Sequence, residues 1–117
     1  MKLGEIEKEL GLVCLTPDLS EARVVEVERG HVSDLLSDVL GRAPAGSILA
    51  TIQVHLNVVA VAVNSRLAGV IFTSGRVPDE EVCQAAVREG MPLFRTDQSS
   101  FDLVGRLYQL GLRGRDA

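Results

Sequence analysis

A chain of 117 residues can bury one hydrophobic core but not two. Its 46% hydrophobic and 24% charged residues are the proportions of an ordinary globular domain. A formal net charge of −4, three Phe, one Tyr and no Trp set nucleic acid aside as a partner, because neither the phosphate backbone nor unstacked bases would find a matching surface.

Lys2 to Leu10 opens the chain as an amphipathic helix, with Leu3, Ile6 and Leu10 on one face and Glu5, Glu7, Lys8 and Glu9 elsewhere. Gly11 is the expected C-cap. This start does not read as a secretion signal, and no apolar run is long enough to span a bilayer. The expectation is a cytoplasmic protein without a membrane partner. Leu12 to Leu15 predicts a short strand closed by Thr16-Pro17-Asp18, and the valines between Arg23 and Glu28 alternate with charge as in a strand with one wet face. After Gly30, the spacing of Val32, Leu35, Leu36, Val39 and Leu40 predicts an amphipathic helix, followed by a turn over 41–46 that contains Pro44. Cys14 and Cys83 are unclustered thiols in apolar surroundings, expected to be buried as small hydrophobes.

Ser47 to Ile52 predicts a buried strand. The run Val58 to Val63 has strand propensity but lies between two buried strands, where parallel neighbours need a crossover; it is therefore expected to be a helix from Asn57, as N-cap, to Ser65. Val70-Ile71-Phe72 is an apolar run buried on both sides, followed by the turn Thr73-Ser74-Gly75. Pro78 suits a first helical position, and Asp79, Glu80 and Glu81 suit the positive end of a helix dipole. Val82, Ala85 and Ala86 give that helix a buried face and Gly90 ends it. Pro92 to Phe94 is a last strand, ending in Arg95-Thr96-Asp97. Ser99 or Ser100 caps a final helix on which Phe101, Val104, Leu107 and Tyr108 share a side. The fold class predicted is α/β: a mostly parallel central sheet with helices on both faces, one domain over 1–112 and a flexible tail over 113–117.

The run from Thr73 to Glu81, then Gly90-Met91-Pro92-Leu93 and the Thr96-to-Phe101 segment, resembles the DRTGG domain, over roughly Ser47 to Leu110. The earlier segments Gly30 to Val39 and Thr51 to His55 resemble its small stand-alone members. The module is similar to regulatory domains of some phosphate acetyltransferases and of certain CBS-containing inorganic pyrophosphatases, and is related to the N-terminal region of HPr kinase/phosphorylase. Where the larger proteins carry Gly-Asp-Arg, this chain has Thr51-Ile52-Gln53 leading to His55 and Asn57; where they carry Thr-Gly-Gly, it has Thr73-Ser74-Gly75. The resemblance implies a regulatory α/β module that associates in pairs, with no reaction of its own established.

If the three strands from Ser47 onward are adjacent and parallel, their carboxyl ends bring together Thr51, Gln53, His55, Thr73, Ser74, Gly75, Arg76, Thr96 and Asp97. Arg76 would supply positive charge for a small anionic, nucleotide-like ligand. The competing reading is that these hydroxyls and amides only satisfy strand ends and helix caps. His31, Asp34 and Asp38, at i, i+3 and i+7, are set against a metal site and read as a solvated helix face, so neither metal nor cofactor is expected. No Gly-x-Ser-x-Gly elbow, phosphate-binding lysine loop or Gly-x-Gly-x-x-Gly is present. The leading expectation is a non-catalytic sensor domain acting as a homodimer, with the Val32–Leu40 helix and Val58–Val63 as sources of interface. The alternatives are a protein–protein interaction module with an unidentified partner, or a small phosphotransfer-related enzyme using His55 or Asp97.

Overall fold

In a computed structural model, which describes residues 1–116, the chain runs α1 (Leu3–Leu10), β1 (Val13–Cys14), a 3-10 turn (Ser20–Val24), β2 (Arg29–Val32), α2 (Leu36–Arg42), β3 (Ser47–Thr51), α3 (Asn57–Asn64), β4 (Gly69–Phe72), α4 (Glu80–Glu89), β5 (Leu93–Arg95) and α5 (Ser100–Gln109). The sheet order is β1-β5-β4-β3-β2, with β2 to β5 parallel and β1 antiparallel at one edge. This is the α/β class read from the sequence, and the valine run is helical.

Alternation along the central strands divides the core in two. Ile48, Ala50, Ile71 and Phe94 pack under α1 and α5, with Leu3, Ile6, Leu10, Leu103 and Leu107. Leu49, Val70, Phe72 and Leu93 pack against α2, α3 and α4, with Val39, Val58, Val59, Ala62, Val82 and Ala86. Every residue of β3 and β4 is buried, which is why these strands read as unbroken apolar runs. Among the described residues no helix is long and apolar enough to cross a membrane.

Several local expectations are corrected. The Arg23–Glu28 strand is absent: Val24 and Val25 are exposed, and the segment instead hydrogen-bonds the N-terminus through Leu3 N to Val25 O (2.9 Å) and Val27 N to Met1 O (2.8 Å). Its alternation does bury Val27, but beside α1, and the sheet strand comes next, at Arg29–Val32. The helix expected from Val32 starts only at Leu36 and runs on to Arg42, into the expected turn. Ser33 and Asp34 divert the backbone before it, Ser33 Oγ accepting from Leu35 N (3.2 Å) and Asp34 Oδ1 from Ile52 N (2.8 Å). Asn57 is the first helical residue of α3 rather than its cap, and Asp79 stands at the N-cap position of α4 without a side-chain cap bond, leaving Pro78 outside the helix. Ser99 does cap α5, accepting from Asp102 N at 3.1 Å. The buried stripe of α5 is Leu103 and Leu107, while Phe101 is 88% and Tyr108 57% exposed. Both cysteines are only half-buried. Most of Val58–Val63 is spent on the core, so the exposed apolar groups near α2 are Val32, Leu35 and Leu40.

In the segment read as a tail, Arg113 O accepts from Gly30 N (2.9 Å) and the Arg113 guanidinium lies 3.7 Å from the centroid of the Tyr108 ring. Ala117 lies outside the described residues.

Phe72 is fully buried at the centre of the sheet, so Phe72→Ala is expected to cost about 3–5 kcal/mol. Phe101→Ala should stay within about 0.5 kcal/mol, because its ring is already in water. Urea denaturation of the two variants checks the contrast.

Candidate ligand-binding site

Adjacent parallel strands whose following helices leave to opposite faces open a crevice between their carboxyl ends. β4 and β5 are such a pair: α4 packs with Phe72 and Leu93 on one face, α5 with Ile71 and Phe94 on the other. The loops that border this crevice are Thr73-Ser74-Gly75-Arg76 and Thr96-Asp97-Gln98-Ser99.

The first loop makes two consecutive left-handed residues, Ser74 (φ 58°) and Gly75 (φ 72°). A Cβ on Gly75 would meet only Asp97 Oδ1, at an ordinary 3.5 Å, so glycine is required there by the dihedral angle rather than by crowding. The turn is held from the second loop, Ser74 N donating to Gln98 O (2.7 Å) and Gly75 N to Thr96 O (3.0 Å). Thr73 Oγ1 and Ser100 Oγ lie 2.6 Å apart. Thr96 Oγ1 accepts from Gln98 N (3.2 Å) and Gln98 Nε2 (3.1 Å). Arg76 is exposed beside this turn. Asp97 is exposed too, its Oδ1 3.8 Å from Arg95 Nη1.

The third strand end is organised by its own side chains. Asp34 Oδ1 accepts from Thr51 Oγ1 (3.1 Å), and Thr51 Oγ1 in turn accepts from Gln53 N (3.0 Å). Gln53 Oε1 accepts from His55 N and His55 Nδ1 from Asn57 N, each at 3.0 Å. These side chains each bond backbone two residues on, so the loop into α3 is built rather than slack. In the neutral imidazole that accepts at Nδ1, Nε2 carries the proton and is the remaining donor.

All nine residues singled out from the sequence therefore stand at the carboxyl ends of β3, β4 and β5. Their polar atoms are largely engaged within the protein: Thr51, Thr73 and Thr96 are buried, and Arg76, Ser74, Gly75, His55 and Asp97 face outward. Gln98 and Ser100 complete the crevice; the sequence marked Ser100 only as a cap and Gln98 not at all, since nothing in its spacing distinguishes it from a loop glutamine.

His31, Asp34 and Asp38 do not converge. His31 ends on β2, with Nε2 3.0 Å from Asp38 Oδ2 on α2, while Asp34 turns away to Thr51 and Ile52. Among the described residues no three His, Cys, Asp or Glu side chains are grouped to hold a metal ion. Burial pushes the Cys83 thiol up, and Glu80 adds to the shift, so this sulfur is protonated rather than activated.

No family model matches the chain. The phosphate acetyltransferase of Deinococcus radiodurans is 25% identical over a 132-residue alignment that covers 89% of this chain and 19% of that protein. Among solved structures, the CBS and DRTGG domains of the regulatory region of Clostridium perfringens pyrophosphatase, complexed with the activator diadenosine tetraphosphate, match with a TM-score of 0.72 at 17% identity, over 89% of this chain and 44% of that one. The chain resembles DRTGG domains. The likeness to the pyrophosphatase region is one of fold, and the DRTGG-like chain spans about a fifth of the acetyltransferase and under half of the pyrophosphatase fragment.

In this DRTGG-like chain the His31–Asp38 pair has a pH signature. The hydrogen bond from His31 holds the Asp38 carboxyl below the ordinary aspartate range, helped by the charges of His31 and Arg42. A carboxyl that ionises more readily folded than unfolded stabilises the fold above its unfolded pKa of about 3.9, and that contribution disappears as pH falls through the depressed folded value. The stability difference between the wild type and His31→Ala should therefore be present at about pH 5 and shrink toward about pH 2, as read from urea midpoints. A difference that persists unchanged in acid would contradict this role.

Proposed function

We propose that the chain is a non-catalytic regulatory module that binds a small anionic, nucleotide-like ligand at the carboxyl ends of β3 to β5 and works as a homodimer. The observation that carries the reading is Arg76, an exposed cation beside the left-handed turn, where the helices following the adjacent parallel strands β4 and β5 diverge. Ser74, Gly75 and Asp97 line the same mouth, and His55 Nε2 adds a donor from the neighbouring loop. Asp79, Glu80 and Glu81 repel anions from the start of α4, which confines a phosphate to the Arg76 side of the turn. The reading is further supported by the nature of the solved relative in fold, a regulatory region complexed with the activator diadenosine tetraphosphate, itself a polyanion.

A second reading rests on a different observation. Past each of the four parallel strands stands an exposed apolar side chain: Leu35 (64% exposed), Leu56 (38%) and Val77 (56%) on the loops, and Phe101 (88%) in the first turn of α5. In that reading the carboxyl end is a protein-binding face, and pairing of two copies there needs no ligand.

Thermal unfolding with AMP, diadenosine tetraphosphate and inorganic phosphate separates the two. Binding to the native state alone raises Tm by several degrees at saturation. Arg76→Ala should weaken the effective ligand about tenfold or more while leaving the unliganded Tm in place, since the loss is of charge-assisted bonds to an exposed cation. No shift with any of the three at millimolar concentration, combined with a dimer by light scattering that Phe101→Asp dissociates, favours the protein-binding face instead.

A further inference from the structure

The last turn of α1 leaves four carbonyls without helical partners, and each of them is met. Glu7 O accepts from Leu12 N (2.9 Å) and Lys8 O from Gly11 N (3.3 Å), the paired bonds of a Schellman turn with Gly11 at φ 62°. The other two partners come from the far end of the chain. Glu9 O accepts from Arg106 Nη2 (3.1 Å) and Leu10 O from Gln98 Nε2 (3.3 Å). Arg106 Nη1 also donates to Gln98 Oε1 at 2.9 Å, so both ends of the Gln98 amide are committed.

The main chain of the same residue serves the crevice. Gln98 O accepts from Ser74 N at 2.7 Å, and Gln98 N donates to Thr96 Oγ1 at 3.2 Å. One residue therefore touches the turn beside Arg76 with its backbone and the end of α1 with its side chain. The two ends differ in strength: the Ser74 bond is short, whereas the bond to Leu10 O is long for an N–H to carbonyl pair. The turn is also a place where energy is stored, because Ser74 holds a left-handed conformation that a residue with a Cβ disfavours.

We propose that Gln98 is the positioning residue that couples the 73–76 turn to the C-terminus of α1, so that a ligand displacing the turn is read out as loosening of α1. The regulatory meaning rests on the ligand site proposed above; the coupling itself is a property of the unliganded chain. If the turn moves, Gln98 O loses its donor, the 96–98 segment shifts, and the long bond from Gln98 Nε2 to Leu10 O (3.3 Å) opens with it. Thr96 and Arg106 transmit the same movement, since both are bonded to the Gln98 side chain.

Amide hydrogen exchange on the unliganded protein tests this. Gly75→Ala strains the turn through its dihedral angle with no clash, and the reporters are Ser74 at the turn and Gly11 and Leu12 at the end of α1. Gly75→Ala should speed exchange at all three, by about threefold or more at Gly11 and Leu12. In a Gln98→Ala background, where α1 has already been released, the same change should act at Ser74 and add nothing at Gly11 and Leu12. Arg106→Ala, at an exposed residue, serves as a second background and should reduce the response in the same direction. Coupling is overturned if Gly75→Ala moves Ser74 and leaves Gly11 and Leu12 unchanged, or moves them equally with and without Gln98. Failure to bind nucleotides in thermal unfolding would sink the ligand reading and leave this coupling result untouched.

Discussion

β3 and β4 are buried along their whole length, and at their carboxyl ends the backbone has to leave a dry interior without stranding polar groups. The protein meets this with a row of buried threonines at the ends of successive strands, Thr51 as the last residue of β3 and Thr73 and Thr96 just past β4 and β5. Thr51 O accepts from Thr73 N (3.0 Å), Phe72 O from Thr96 N (2.9 Å) and Thr96 O from Gly75 N (3.0 Å), so the ladder continues one step past the strands before the loops diverge. Each hydroxyl then finds a side-chain or backbone partner: Asp34 and Gln53 for Thr51, Ser100 for Thr73, Gln98 for Thr96. The partners are exposed or only partly buried, so removing one hydroxyl costs the net value of its hydrogen bond, about 0.5–1.5 kcal/mol.

That closure shapes what the edge can offer a ligand. The threonines are too committed to reach outward, and what faces outward is carried by the next residues along: the Ser74 side chain, the Arg76 guanidinium, the outer nitrogen of His55 and the carboxylate of Asp97 beside Arg95. The site is thus an organised rim standing on a sealed floor. Because the floor is sealed by bonds between loops, displacement of the rim has a route into the rest of the molecule, and Gln98 is where that route meets α1. Exposed apolar groups stand at the same end of the sheet, Leu56 and Val77 on the loops and Phe101 in the first turn of α5.

Much of the architecture was legible in the sequence because it is written in burial. The unbroken runs at Ser47 and Val70 belong to strands covered on both faces, and the need for a crossover between them settled the valine run as helix against its own propensity. The amphipathic spacing of α1 and the caps at Gly11 and Gly90 were equally readable, and the cap of α5 was narrowed to Ser99 or Ser100. The failures came where polar side chains overrule apolar spacing. Ser33 and Asp34 spend themselves on Leu35 and the β3 exit, and so cut short a helix that the leucine spacing extended to Val32. The valines of 24–27 have strand periodicity, but their partner is the N-terminus. On α5 the spacing of Phe101 and Tyr108 was as regular as that of Leu103 and Leu107, and only packing against the sheet and α1 decides which stripe is buried. The site residues were found as a row because strand ends are identifiable; the engagement of their hydroxyls depends on Asp34, Gln98 and Ser100, which lie up to 27 residues away in sequence from the threonines they serve.

The central claim is that the carboxyl rim around Arg76 is where this module receives its ligand. Mapping amide chemical shifts of the labelled chain during titration with diadenosine tetraphosphate tests it most directly. The account predicts saturable changes concentrated at 53–57, 73–76 and 96–100, with a weaker echo at Gly11 and Leu12. Changes confined to the groove that Val59, Ala60 and Val63 of α3 form with Glu81, Ala85 and Arg88 of α4, or none at millimolar ligand, would contradict it.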